Sequence, residues 1–351
     1  MKVTEKPLHI TINESSASDW KKNLSEFPHS LFLSCEWILS LQSEHYEPVF
    51  IDFLEDEKVV AKLSAIVNKR NSLKGRQLYS FAAPALKHPD EQILNRCLDA
   101  LRRYAIQKRY TRIIFSSYDQ QHQLRCKLSG YYTTQRSEYI VSFNDSSDIH
   151  FSKGFKKNAG KAVKSGASFH TSTKEEHLNE LFRLIDSTQT YRKKKYGSDY
   201  DPYYLRGLTD DSLKKIMASG LGVIYYTETE DKKIHCAQLN VEHNGQAYGL
   251  LMGSDPEAYQ NGHPSFIDKG VIEKLKGLNY QYYNPGGNTS DNGGAGLEKY
   301  KASMGAEKRE FYGATTNFLV YPQKLLNPLL KAGRRLPSTE EGFIGLLKKL
   351  I

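Results

Sequence analysis

Glycines at 286, 287, 293, 294 and 296, followed by Tyr300 and Lys301, make up the part of this sequence best suited to chemistry. They lie in YYNPGGNTSDNGGAGLEKYKASMGAEKREFYG, which opens as a short aromatic strand and passes into the glycine-rich loop. A helix then starts near Ala295 and breaks at Gly305, ahead of another strand. Glycine reaches positive φ and lets the backbone come close to a ligand. Backbone N–H groups and the Lys301 ammonium would then stand at a strand end, where an anion or oxyanion could be held. Asn284, Gly286 and Gly287 open that loop, and Tyr283 would line the cleft beside it. On residue type alone, a surface lysine and a core tyrosine account for Lys301 and Tyr283 as well.

Cations collect in a second place. In FSKGFKKNAGKAVKSG, helical spacing puts Lys153, Lys157, Lys161 and Lys164 on one face and Phe155, Ala159, Ala162 and Val163 on the other. Such a row suits phosphate or tRNA contact that weakens with salt, and Lys157 from it and the adjacent Lys156 are the substrate-binding candidates. A solvated face is the alternative. For a general base the chain offers His235, Glu242 and Asp255 on or beside central strands, any of which could serve if buried near an amine. Proton removal by the substrate itself stays open. Cys35, Cys97, Cys126 and Cys236 are scattered, without the spacing of a zinc site, so reduced core residues are expected and neither a metal site nor a thiol nucleophile.

The elements that must position these residues read as one series used twice. The first pass holds strand Leu8–Asn13, helix Ser18–Glu26, and a helix with Leu31, Cys35, Ile38 and Leu41 or Leu39 inward. Strands Glu47–Leu54, Lys58–Val67 and Gln77–Ala83 come next. Helix Glu91–Gln107, strand Arg112–Ser116, a short helix and strands within Tyr131–Phe143 complete it. The second pass runs through strand Ala167–Thr171, helices Lys174–Thr190 and Pro202–Ala218, and strands Gly222–Thr227, Ile234–Glu242 and Gln246–Gly253. A helix with Pro264 in its first turn runs to Leu278; strand Tyr280–Asn284, the glycine loop, helix Leu297–Ser303 and strands Arg309–Tyr312 and Asn317–Tyr321 follow. A period of about 150 residues suits duplicated domains rather than a solenoid. The expected division is 1–150, a basic joining helix 151–166, a second domain 167–322 and a tail 323–351. That tail ends in the amphipathic EGFIGLLKKLI, expected to pack on the body or on a partner subunit.

With 25% charged residues the composition is globular rather than disordered. No apolar run reaches the roughly 20 residues of a membrane helix, and the N-terminus lacks the apolar region of a secretory signal, so no stable membrane insertion and a cytoplasmic location are expected. A formal charge of +9 favours acidic partners: nucleotide or coenzyme phosphates, tRNA, or an anionic surface.

This order, and the residues in it, resemble the FemAB-like family of tandem GNAT-fold acyltransferases, relatives of the peptidoglycan-bridge aminoacyltransferases. The likeness is carried by the basic segment FSKGFKKNAGKAVKSG, by AYGLLMGSDPEAYQNGHPSFIDKGVIEKLKGLNY, by YYNPGG followed by GLEKYKASMGAE, and by the early SCEWILSL. It runs from about Leu8 to Tyr321. Two departures stand out: Asn284 and Pro285 replace an acid and an aromatic, and Tyr300 replaces a phenylalanine. The long helical hairpin of some tRNA-using members is absent between Lys174 and Ala218.

The resemblance implies an α/β (mixed α+β) fold of two GNAT-like domains, each a mixed sheet flanked by helices. It implies acyl or aminoacyl transfer from a thioester or an aminoacyl-tRNA ester to a primary amine, in the setting of cell-wall and peptidoglycan synthesis. The donor would be acyl-CoA or aminoacyl-tRNA as a substrate, with no tightly bound cofactor; the acceptor would be an acidic small molecule or cell-wall precursor. Lys301 matches the family's lysine on the helix after the glycine loop, and Arg192 a basic position that reaches the acceptor in relatives. In the GNAT plan the fourth strand and the loop after it hold the coenzyme, which here is Ser254–Ser265, with Gln260-Asn261-Gly262 only faintly similar to a pyrophosphate loop. A non-catalytic GNAT-like module that binds a nucleotide-linked or RNA ligand is the alternative.

Overall fold

The computed structural model describes residues 9–69, 74–143, 148–196, 202–287 and 294–334. Their packing divides the chain into two units. One takes the residues up to Arg136 together with those from Phe311 onward, and the other takes Ser137–Glu310.

The first unit begins with β1 (Thr11–Glu14), α1 (Ala17–Lys21) and α2 (Cys35–Ser40). The long strands β2 (Tyr46–Glu55) and β3 (Lys58–Asn68) form a hairpin. Asp56 and Glu57 at its tip both have positive φ, the turn geometry that matches the twist of two antiparallel strands. β4 (Gln77–Ser80), β5 (Ala85–Leu86), α3 (Glu91–Gln107) and β6 (Arg112–Phe115) follow. Asp90 caps α3 by accepting the Ile93 N–H, and Leu94, Cys97, Leu98, Leu101 and Ala105 are buried as the spacing predicts. The α3 crossover leaves β4 and β6 parallel. No helix lies between β6 and Tyr131, where a short one was expected. The segment expected as strands within Tyr131–Phe143 is one strand, β7 (Tyr131–Ser142).

The second unit contains α4 (Lys153–Lys164), β8 (Ser168–Ser172), α5 (Glu175–Tyr196) and α6 (Asp210–Ala218). β9 (Gly222–Glu228), β10 (Ile234–His243) and β11 (Gln246–Ser254) then form an antiparallel meander. α7 (Pro256–Asn261), α8 (His263–Gly277), β12 (Tyr282–Asn284) and α9 (Gly294–Ser303) complete it. Its strand order is β7-β12-β11-β10-β9-β8. α5 packs on β10 and β11, while α8 packs on β8, β9, β10 and β12 with α4 against it. The α8 side holds the core, with Phe155, Tyr225, Cys236, Ile267, Val271 and Tyr283 buried together.

Two expectations change here, and one element was not expected. α6 starts at Asp210 rather than Pro202, because Thr209 forms a reciprocal capping box with Ser212. The helix expected with Pro264 in its first turn forms as α8, and the short α7 before it, ended by Gly262 with its φ of +75°, was not expected. Of the two closing strands only the first forms, as β13 (Glu307–Thr316), whose outer half pairs with β6 in the first unit; Asn317–Tyr321 is not a strand. α10 (Asn327–Gly333) follows; the tail sequence after Arg334 lies outside the described residues. All four cysteines are buried and unpaired. Burial pushes the Cys236 thiol up to about 12, so it is no nucleophile at neutral pH.

Candidate active site

The second unit's sheet opens along one line. β11 and β12 run parallel with Gln246 beside Tyr282, Ala247 beside Tyr283 and Tyr248 beside Asn284, and the pairing stops there. β12 ends at Asn284 while β11 continues to Ser254, so its edge from Gly249 onward has no β12 partner. At the same level Leu250 is an extra residue: Asn240 faces Gly249 and Leu239 faces Leu251. A bulge of this kind bends the strand and takes one residue out of the ladder. The chain leaving β12 turns away at Gly286, whose φ of +80° is one that glycine adopts without strain.

Lys301 closes this turn. Its side chain is 6% exposed, and Nζ donates to the carbonyls of Gly286 at 2.8 Å and Gly287 at 2.7 Å. The Tyr139 ring lies under the ammonium at 5.5 Å. The Gly286 N–H donates to Asn284 Oδ1 at 2.9 Å. In the described part of the loop, then, carbonyls face the lysine and one N–H is taken by a side chain. The remaining expected cradle, including Gly293, lies outside the described residues. Gly294 and Gly296 form the first turn of α9.

The acid that residue 284 lacks stands on the neighbouring strand. Asn284 Nδ2 donates to Glu138 Oε2 at 3.0 Å, the Tyr248 hydroxyl reaches Glu138 Oε1 at 3.3 Å, and both Asn284 and Glu138 are fully buried. Glu138 lies 146 residues away in sequence, which is why sequence reading missed it.

On the α8 face a chain of polar groups runs through the core. Asp268 on α8, 3% exposed, accepts from the Tyr300 hydroxyl at 2.7 Å and from the Tyr283 hydroxyl at 3.4 Å. Gln238 Nε2 donates to the Tyr283 oxygen at 2.6 Å and to Asn240 Oδ1 at 2.7 Å. Glu242 accepts from the hydroxyls of Tyr225 at 2.7 Å and Tyr280 at 2.8 Å. Gln238, Asn240 and Glu242 share one face because they alternate along β10. Burial raises the Asp268 carboxyl to about 6, against the Tyr300 hydrogen bond and the Lys301 charge, which lower it. Burial also raises Glu242, opposed by its two tyrosines. Tyr283 is thus a core tyrosine, 1% exposed, and at the same time a member of this chain.

The other expected residues fall elsewhere. Arg192 is exposed on α5, which covers the face opposite α8. Lys156 and Lys157 are exposed on α4, as are Lys153, Lys161 and Lys164, while Phe155, Ala159 and Ala162 are buried. Val163, expected on the apolar face, is 58% exposed because α4 presents only its Phe155–Ala159–Ala162 stripe to the core. His235 is 2% exposed with Nδ1 at 2.9 Å from Asp255 Oδ2, and Asp255 Oδ1 accepts the Ala258 N–H that starts α7. That pair is used in holding α7. Glu242 is wrapped by two tyrosines at the far end of β10.

Residues 150–302 match the family described as Acetyltransferase (GNAT) domain. No curated protein matches the sequence. Among solved structures the chain is similar to FemX, with a TM-score of 0.66 at 12% identity over 90% of this chain and 98% of that one. It is also similar to L-PGS from Bacillus licheniformis, with a TM-score of 0.56 at 18% identity over 92% and 98% of the two chains. The C-terminal domain of a putative lysylphosphatidylglycerol synthetase from Agrobacterium fabrum gives 0.54 at 12% identity over 90% and 97%. The chain has a tandem GNAT fold. Its likeness to the FemAB-like family therefore holds as a likeness of fold. In GNAT terms, β11 is the fourth strand of the second domain and β12 the fifth, and the opening between them carries Asn284, Gly286, Gly287 and Lys301.

Proposed function

We propose that this protein is an N-acyltransferase moving an aminoacyl group from an aminoacyl-tRNA ester to a primary amine on an acidic, cell-wall-type acceptor. The observation that carries the reading is the Lys301 ammonium, fixed by two carbonyls where β11 and β12 part. A cation held still at that place can stabilise the oxyanion that forms when an amine attacks an ester carbonyl. The name of one similar structure, a putative lysylphosphatidylglycerol synthetase, agrees with transfer of an aminoacyl group.

The loop after β11 supports this choice of donor. A coenzyme pyrophosphate needs open backbone N–H groups at the start of the next helix. Here Ser254–Ser265 spans the end of β11, α7 and the start of α8; the Asp255 carboxylate takes the Ala258 N–H, and a Cβ added at Gly262 would lie 2.2 Å from the Asn158 carbonyl oxygen of α4. A carboxylate and a packed helix stand where phosphates would bind. The exposed lysines of α4 offer a polyanion a surface instead.

A ligand panel tests this. Thermal stabilisation by aminoacyl-tRNA, weakening with salt, together with transfer to a lysine-containing muramyl pentapeptide precursor, is the expected result. Stabilisation by acyl-CoA alone would move the donor to a thioester. Binding without transfer would leave a GNAT-like binding module, with Lys301 serving only to hold the glycine turn.

A further inference from the structure

Transfer to an amine releases a proton, and none of the three expected bases is placed to take it. Asp268 is. It is a nearly closed-off carboxylate, and among the described residues no Lys or Arg lies within salt-bridge distance of it. A carboxylate so placed is costly unless hydrogen bonds hold it. It is held by two tyrosines, one on α9 directly before Lys301 and one on β12 directly before Asn284. The groups that face it are Tyr283 from β12, Tyr300 and Lys301 from α9 and Cys236 from β10. Tyr300 is partly exposed as a residue, whereas the carboxylate that its hydroxyl meets is shut in.

The inner end is ordered as well. Asn240 Nδ2 points to Glu242 at 3.5 Å, which turns Asn240 Oδ1 to Gln238 and so fixes which way the Gln238 amide faces. Gln238 Nε2 then donates to the Tyr283 oxygen, leaving that hydroxyl's proton directed at Asp268. Among the described residues, Gln238 Oε1 has no hydrogen-bond partner and is buried. An unpaired buried acceptor is unfavourable for folding, and it is retained here with the amide locked in the orientation that aims Tyr283 at the carboxylate.

We propose that Asp268, acting through the Tyr300 hydroxyl, takes the proton that the acceptor amine loses during acyl transfer. The inference rests on the acyl-transfer reading above. As the amine nitrogen bonds to the ester carbonyl carbon, its proton passes to the Tyr300 oxygen and the Tyr300 proton passes to Asp268 Oδ2. When the tetrahedral oxyanion collapses and the ester C–O bond breaks, the leaving ribose oxygen takes that proton back by the same route. Atoms and charges balance with no further reactant. Asp268 is a positioning residue in this scheme, since it reaches the amine through Tyr300.

The test uses the full chain, a mixture of aminoacyl-tRNAs and the muramyl pentapeptide precursor as amine, with carboxyl titration followed by infrared spectroscopy. Asp268→Asn should lower kcat by about 10²–10⁴-fold with little change in KM. It should also abolish a rate limb near pH 6 and the matching carboxyl band. Tyr300→Phe, which leaves Asp268 in place, should lower kcat and move the limb upward; it decides alone if the first variant does not fold. Wild-type rate and an unmoved limb in both variants would overturn the inference and leave the acyl-transfer reading intact. No transfer by the wild type from any aminoacyl-tRNA or acyl-CoA would overturn the reading, and the inference with it.

Discussion

A lysine buried to 6% exposure keeps its charge only where acceptors replace water, and the Gly286 and Gly287 carbonyls do so for Lys301. Lys301→Ala should therefore act twice. Stability should fall by about 1–3 kcal/mol, as two acceptors lose a charged donor. Transfer should fall by about 10²–10³-fold if the ammonium also meets the oxyanion, and a variant that loses stability but keeps its rate would confine Lys301 to the turn. Asp268 behaves in the opposite sense. Its folded carboxyl is raised to about 6 from an ordinary 3.8, so the folded state binds more protons than the unfolded chain between those values. Stability from this group is present at low pH and is lost as pH rises through 6. Asp268→Asn, which can still meet both tyrosines, should thus melt no lower than wild type at pH 8 and lose any advantage towards pH 4.

Helix α4 shows the same conflict one scale up. Ser152 caps it well, with the Phe155 N–H on its hydroxyl, yet no acid stands in its first turn and Lys153, Lys156 and Lys157 crowd the positive end of the helix dipole. Each such cation there costs about 0.3–1 kcal/mol. Lys156→Glu with Lys157→Glu should hold or raise the melting temperature while weakening tRNA binding. The slope of log K against log salt should flatten by about 0.7–0.9 for each phosphate that the variant no longer neutralises. Unchanged tRNA affinity would leave these lysines as a solvated face. The junction of α7 and α8 is sensitive for a different reason. Gly262→Ala would force a side chain into positive φ and towards the Asn158 carbonyl, so a loss of about 1–3 kcal/mol is expected in chemical denaturation.

For the whole molecule, the repeat visible in the sequence and the folded unit are not the same thing. β7 begins in the first unit and its end pairs with β12 at Ser142–Tyr282 and Val141–Tyr283, while β13 leaves the second unit and pairs with β6 at Phe115–Ala314. A fragment of residues 137–310 should fold cooperatively in a melt. One of residues 167–322, cut where the sequence period suggests, lacks both α4 and β7 and should aggregate through the bare edge of β12. Chain truncation after Glu310 should likewise strip β6 of β13, one of its two neighbours, and destabilise the first unit. The sequence by itself determined the elements: the α3 stripe, the Gln246–Gly253 strand, the helix bearing Lys301 and the duplicated order all follow from side-chain periodicity within a few neighbouring residues. It also located the glycine turn and its lysine. Only the tertiary structure decided which strands close which sheet, that Glu138 supplies the carboxylate beside Asn284, and that Asp268 meets Tyr283 and Tyr300. Those pairings join residues that local preference cannot connect; they are chosen by which distant edges and buried polar groups satisfy one another once the chain has packed.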